Sequence, residues 1–411
     1  MNHDLSPDLS PDPNHSGWAP GRRSVLGLLG AVAASGVLAS SGTADAAAAD
    51  DSSGSEGIPA TLRPGGELDR LIAQLAAEDK FSGTVLLLHR GRRVLARSYG
   101  AADRQRGIPN GPDTVFALGS VTKLLTAVAV AQLVQQGRLA YQETLGNHLD
   151  GFPADVADTV TLHQLLTHTS GMGDYMQSAG FWAAAAGWTS AEQVMDGTLE
   201  FVRKAPLAFA PGTGHLYSNS GYHTLGTIVA EVSGQSYYDY VRRHIFGPAG
   251  MTSSDFYTTT QWREDRRIAV PYRTQPSGPR VDAIDQQIFI GSPAGNSFSD
   301  TEDLVRFTQA LLGGKLLDGP HTQLTVGPKV PRPPLPPVAD LPGLIPFEAY
   351  GPSAFLVGDA WAVGHNGGAP GISTDLEWYP DSDWVAVTLS NYDAGTTAPI
   401  DSLARKLITQ A

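Results

Sequence analysis

Two polar side chains stand one helical turn apart at the head of an unusually apolar segment. Ser120 and Lys123 open the stretch Ser120–Gln136, which is apolar almost all round and is stopped by Gly137. A serine hydroxyl is a weak nucleophile until a neighbour takes its proton. An ammonium can do so only if its pKa falls from about 10.4, and burial among apolar side chains favours the neutral amine. Free N–H groups at the helix start would add stabilisation for developing negative charge. Of the six lysines, only Lys123 has a serine three positions before it. The same spacing also fits a capping serine beside a lysine that snorkels to solvent, so the pair alone leaves both readings open.

Two further clusters have the right chemistry to complete such a pair. Tyr217-Ser218-Asn219, the sole Tyr-x-Asn of the chain, follows the turn-rich stretch 209–214 and precedes a helix predicted from about Ser220. A phenol there can pass a proton to a leaving group, and the Asn amide can orient the lysine and hold a substrate carbonyl. Taken alone, the tripeptide is also an ordinary helix-entry turn. In 364–371, Gly-His-Asn-Gly-Gly-Ala-Pro-Gly, four glycines within eight residues let backbone approach a ligand, and a free N–H could complete an oxyanion hole. His365 could donate to a substrate carboxylate or carbonyl. The alternative for this run is a flexible turn with a solvent-facing histidine.

Competing chemistries find little support. There is no Gly-x-Ser-x-Gly elbow, His-Glu-x-x-His, EF-hand loop, P-loop or dinucleotide fingerprint. His163 and His168, five apart, do not share a helix face, so no metal site is expected. Phe181, Trp182 and Trp188 either line a substrate pocket or pack within a helical lobe.

These residues need a scaffold, and hydrophobic periodicity outlines one. A helix is predicted over Glu67–Lys80, strands over Gly83–His89 and Val94–Tyr99, helices with aromatic-rich connections over 160–260, strands over Leu376–Tyr379 and Trp384–Ser390, and a last helix over Pro399–Thr409. Strands near both ends with helices between predict a two-lobed α/β (α+β) protein. An antiparallel sheet flanked by helices is built from residues 66–118 and 285–411, an all-helical lobe from 119–284 is inserted, and the site lies at the interface. Residues 331–342 hold six prolines and are expected to form an irregular, stiff surface loop.

Length and charge narrow the function further. The 411 residues carry 41 acidic and 28 basic side chains, a net charge of −13, which does not favour a nucleic-acid partner. The absence of cysteine excludes disulfides, thiolate metal sites and thiol nucleophiles. Arg22-Arg23 precedes an uncharged, Gly- and Ala-rich run from Ser24 to Thr43 and a small-residue stretch, 44–49. This resembles a twin-arginine export signal over 1–49, followed by a linker over 50–65. The alternative is an N-terminal anchor, but the run is weakly apolar for a span. The expectation is a protein secreted or held at the cell-envelope exterior, with no stable membrane span after processing.

Ser120-Val-Thr-Lys123, Tyr217-Ser-Asn219 and His365-Asn-Gly367 resemble, in order and spacing, the three active-site motifs of the penicillin-recognising serine hydrolases, a group that includes class C β-lactamases, D,D-peptidases and esterases. Leu165–Met172, Phe246–Met251 and Ser299–Leu304 resemble further stretches of that family, so the likeness runs from about residue 65 to the C-terminus. It implies a β-lactamase/transpeptidase-like fold, Ser120 as acylated nucleophile, Lys123 as its base and Tyr217 as proton relay. Asn219, His365, Gly367 and Gly368 would be substrate-binding, with an oxyanion hole formed by the Ser120 and Gly368 amides. No metal or cofactor is implied, and the stretch around His168 looks structural. The implied substrate is a small molecule or peptide, a peptidoglycan stem peptide among the candidates. The chain departs from class C lactamases in having no Lys-x-Gly in its third motif. A histidine there holds a carboxylate less reliably than an ammonium, which disfavours efficient lactamase activity and leaves peptidase, amidase and esterase chemistry. A weak lactamase, or a non-catalytic relative that binds cell-wall peptides, is the alternative.

Overall fold

The computed structural model describes residues 57–333 and 343–411, all within the compact unit Glu56–Ala411. The expected export signal, residues 50–56 of the expected linker and most of the Pro-rich loop lie outside the described residues. The rest of the expected linker is part of the fold, since Leu62 is fully buried.

One eight-stranded antiparallel sheet organises the chain. In sequence order its strands are β1 (Gly83–His89), β2 (Arg92–Tyr99), β3 (Val330–Pro331), β4 (Ile345–Glu348), β5 (Ser353–Val357), β6 (Ala360–Ala369), β7 (Ile372–Tyr379) and β8 (Trp384–Ser390). Their spatial order is β2-β1-β8-β7-β6-β5-β4-β3, so the first hairpin pairs with the last strand, from Gly83↔Ser390 to His89↔Trp384. In β1 the apolar run is buried on both faces, because successive side chains enter different cores. Val85 and Leu87 join an outer core with helix α1 (Glu67–Ala77) and the C-terminal helix, whereas Leu86 and Leu88 join the main core under the helices.

The main core is centred on α2 (Thr122–Gln135), which is buried from Thr122 to Leu133. It stops as expected, with Gly137 in the left-handed region at φ 69°. Against it packs α3 (Asn219–Ser233), capped at its start by Ser218, whose hydroxyl accepts from the Gly221 amide at 2.9 Å. The inserted region also holds one two-stranded hairpin, Tyr272–Thr274 with Arg280–Asp282, inside the boundary expected to be all helical. Its Tyr272 packs with Ile372 and Tyr392 of the sheet lobe. The last helix, α4 (Ala398–Thr409), closes the outer face of the sheet through Ile400, Ala404 and Ile408.

Replacing Leu133, which is fully buried in α2 and far along it from Ser120, with Ala should cost about 2–5 kcal/mol through the cavity left behind. Urea unfolding should show a lower midpoint and an unchanged slope.

Candidate active site

Ser120 sits on a single 3-10 turn, Gly119–Val121, that precedes α2 rather than in the α-helix itself. Gly119 makes that turn possible, having φ +52° and so little room that a Cβ would lie 2.8 Å from the Gly368 amide nitrogen. The turn is tied down by Thr122, whose hydroxyl donates to the Gly119 carbonyl at 2.8 Å and accepts from the Ser297 amide at 2.9 Å.

Lys123 is the electrostatic centre of the site. It is fully buried, and its Nζ lies 3.1 Å from Ser120 Oγ, 2.7 Å from Asn219 Oδ1 and 2.6 Å from the Ala294 carbonyl. Desolvation pulls the ammonium down to about 7, partly opposed by the nearby Asp174 carboxylate. The contact geometry then assigns the atoms. A neutral amine has two N–H bonds and one lone pair, and both carbonyl oxygens can only accept. The two N–H bonds therefore go to Asn219 and Ala294, and the lone pair is left facing the Ser120 hydroxyl. The amide of Asn219 is held in this orientation because its Nδ2 donates to Asp174 Oδ2 at 2.7 Å.

Tyr217 stands beside this pair, with Lys123 Nζ 4.8 Å from its ring centre. The residue as a whole is 39 % exposed, yet its phenol hydroxyl is crowded by protein. Burial pushes the phenol well above its usual range, and the Ser120 side chain beside it offsets part of this. The phenol thus keeps its proton at a pH where the lysine has lost one, an arrangement in which the amine can accept a proton and the neutral phenol can pass one on. His168, read from the sequence as structural, positions this tyrosine. Its ring lies 4.5 Å from that of Tyr217, and its Nδ1 accepts from the next amide, Ser218 N, at 3.1 Å. On the other side His215 Nε2 meets the buried Glu348 Oε1 at 3.0 Å, an oxygen also held by Arg332.

The Gly-rich run is a strand, not a turn. In β6 the partner β5 ends at the pair Ser353↔Gly364, leaving His365–Ala369 with a free edge toward the Ser120 turn. The two-residue turn Pro370-Gly371 makes Ala369↔Ile372 a hydrogen-bonded pair, so alternation aims the Gly368 N–H away from β7, at that edge. A Cβ on Gly367 would lie 2.1 Å from the Leu118 carbonyl and 3.0 Å from the Ser120 amide nitrogen. The backbone at Gly119-Ser120 thus lies directly against that at Gly367-Gly368, a closeness that would let two amides reach one substrate oxygen.

His365 departs from the expectation that it would donate to a substrate. It is buried, and its Nδ1 lies 2.6 Å from the Asn366 carbonyl, an oxygen that can only accept. The ring proton is used there, and Nε2 is left as an acceptor. Burial, reinforced by Lys123, pulls its pKa down to about 3, so the ring is neutral. His163 bonds to Tyr350 at 2.9 Å and is apart from His168 in role. Among the described residues, no group of three or more His, Asp or Glu is placed to hold a metal ion. Sequence reasoning missed Asp174 and the Ala294 carbonyl. The first carries a weak signal as the cap of the turn Tyr175–Gln177, and the second has no side chain to betray it.

Comparisons with known proteins bear on the family and the fold. The beta-lactamase family profile matches residues 68–410. The chain belongs to the beta-lactamase family. It is 35 % identical over 246 residues to the putative penicillin-binding protein PbpX of Bacillus subtilis, covering 60 % of this chain and 58 % of that protein. It is also 35 % identical over 244 residues to the esterase EstB of Burkholderia gladioli, covering 56 % of this chain and 61 % of EstB. This chain thus matches less than two thirds of the length of either relative. A penicillin-binding protein from Bacillus halodurans superposes with a TM-score of 0.70 at 28 % identity, covering 81 % of this chain and 98 % of that one. The family's β-lactamase/transpeptidase-like fold is the one described above, and its members include penicillin-binding proteins and an esterase.

Three outcomes test the site. Acylation rate should rise with pH to a plateau with a midpoint about 7, because only the unprotonated Lys123 is a base. Asp174→Ala removes the charge that holds the ammonium up, so the same midpoint should move to lower pH. Gly367→Ala should lower kcat by about 10²–10³ in single-turnover assays by displacing the oxyanion amides.

Proposed function

We propose that this chain is a serine hydrolase that works through an acyl-enzyme on a peptide, amide or ester carbonyl. The observation that carries the reading is the buried Lys123 amine, whose two N–H bonds are taken by carbonyl oxygens and whose lone pair is left for Ser120. Ser120 Oγ attacks the carbonyl carbon and gives its proton to Lys123, while the new oxyanion takes the Ser120 and Gly368 N–H groups. Collapse breaks the bond to the leaving group, which departs with a proton passed back from Lys123 through the Tyr217 hydroxyl. Water then attacks the acyl-serine with the same lysine as base and restores the free enzyme. The names of the relatives, penicillin-binding protein and esterase, support acyl transfer to serine without choosing between its substrates. The Arg22-Arg23 leader supports export by a twin-arginine route to the cell-envelope exterior, where peptidoglycan stem peptides are candidate substrates. Among the described residues no helix is long and apolar enough to cross a membrane.

A fluorophosphonate and a fluorescent penicillin test the reading directly. The wild-type protein should be labelled by at least one of them, and Ser120→Ala by neither. Equal labelling of the two proteins would remove the catalytic assignment. Lys123→Ala should fold, by circular dichroism, and fail to acylate.

A further inference from the structure

Two cavities flank the oxyanion edge, and Gly368 lines both. The larger, about 620 Å3, contains Ser120, Tyr217 and Asn219, and its walls are mainly apolar, formed by Tyr175, Met176, Trp182, Ala185, Ile288 and Ile290. It divides the aromatic cluster expected from the sequence. Phe181 is fully buried in packing with Trp188, whereas Trp182 is 48 % exposed at the cavity, its Nε1 donating to the Met176 carbonyl at 3.0 Å. The smaller cavity, about 320 Å3, runs under the start of α4 and has walls of mixed polarity, with Asp375, Asp401, Arg332 and Arg405 among the lining residues. Both volumes fall in the range of small-molecule sites.

Among the described residues, neither cavity offers an uncommitted cation, and no Lys, Arg or His lines the larger one. In the smaller, Arg405 is paired with Glu377, and Arg332 with Glu348 and, at 3.1 Å, the Ser353 hydroxyl. His365 presents an acceptor, Lys123 is consumed by its three partners, and two further carboxyl groups, Asp375 and Asp401, face the smaller space. A carboxylate moved from water into either cavity would lose hydration and find no free positive charge, a cost that an uncharged group of the same shape escapes.

Resting on the hydrolase reading above, we infer that this site takes substrates with a bulky apolar group on one side of the scissile carbonyl and an uncharged group on the other, and with a carboxylate on neither. Neutral esters and amides fit. A peptide whose scissile bond is followed by a free C-terminal carboxylate does not, which narrows the stem-peptide candidates above to bonds with no carboxylate beside them.

Two matched pairs of esters test this on the wild-type protein. One pair is the phenylacetate esters of 4-hydroxybenzoate and 4-hydroxybenzamide. The other is the 4-nitrophenyl esters of 4-carboxyphenylacetic and 4-carbamoylphenylacetic acid. With rates normalised to hydroxide hydrolysis, kcat/KM should favour the carboxamide by about tenfold or more in both pairs. A smaller ratio in either pair overturns the inference. If a pair is not turned over, protection of Ser120 from fluorophosphonate is read instead. The carboxamide should protect at about tenfold lower concentration, and equal or absent protection overturns the inference. Ser120-dependent labelling with an inverted ratio would leave the hydrolase reading standing and remove only this one, whereas loss of labelling removes both. In His365→Lys, an ammonium at the free edge of β6 should narrow at least one ratio to about threefold. Unchanged ratios would show that the missing cation is not the cause.

Discussion

The site rests on one amine kept away from water. Lys123 is fully buried in the main core, and that burial lowers its proton affinity. Three contacts then decide what the amine can do, because two carbonyl oxygens accept its N–H bonds and the third neighbour is the Ser120 hydroxyl. Each contact comes from a different part of the chain: the turn that precedes α2, the start of α3 and the loop around Ala294. The packing that stabilises the main core and the chemistry of the serine are therefore a single arrangement, which explains why α2 is apolar on every side.

The second constraint is backbone meeting backbone. The Gly119 turn and the free half of β6 approach so closely that no side chain fits at Gly119 or Gly367. Donors fixed in this way need no reorganisation when charge develops on a substrate oxygen. The strand supplies them because β5 stops short and leaves its neighbour's edge open.

Much of this could be read in the sequence, and the failures have physical reasons. The first hairpin, the last two strands and the terminal helices follow period-2 and period-3.6 patterns, and the structure has them within a few residues. Strands β3 to β6 carry no clear period-2 pattern in the sequence, with proline in β3 and β4 and glycine in β6, and it is their successive antiparallel pairing out from β7 that forms them. Ser120, Lys123, Tyr217 and Asn219 were legible as residue types at fixed spacing. Asp174, 45 residues before the amide it holds, was not, and neither was the ring proton of His365, which is committed by a contact that exists only in three dimensions.

The pairing of the first strand with the last also orders events during synthesis. A nascent chain emerging from the ribosome carries Ser120 long before Gly368 has been made. That segment is held in turn by β7, and β7 by β8, which ends at Ser390. A partly translated chain would carry the Ser120 and Lys123 pair without the strand edge that faces it.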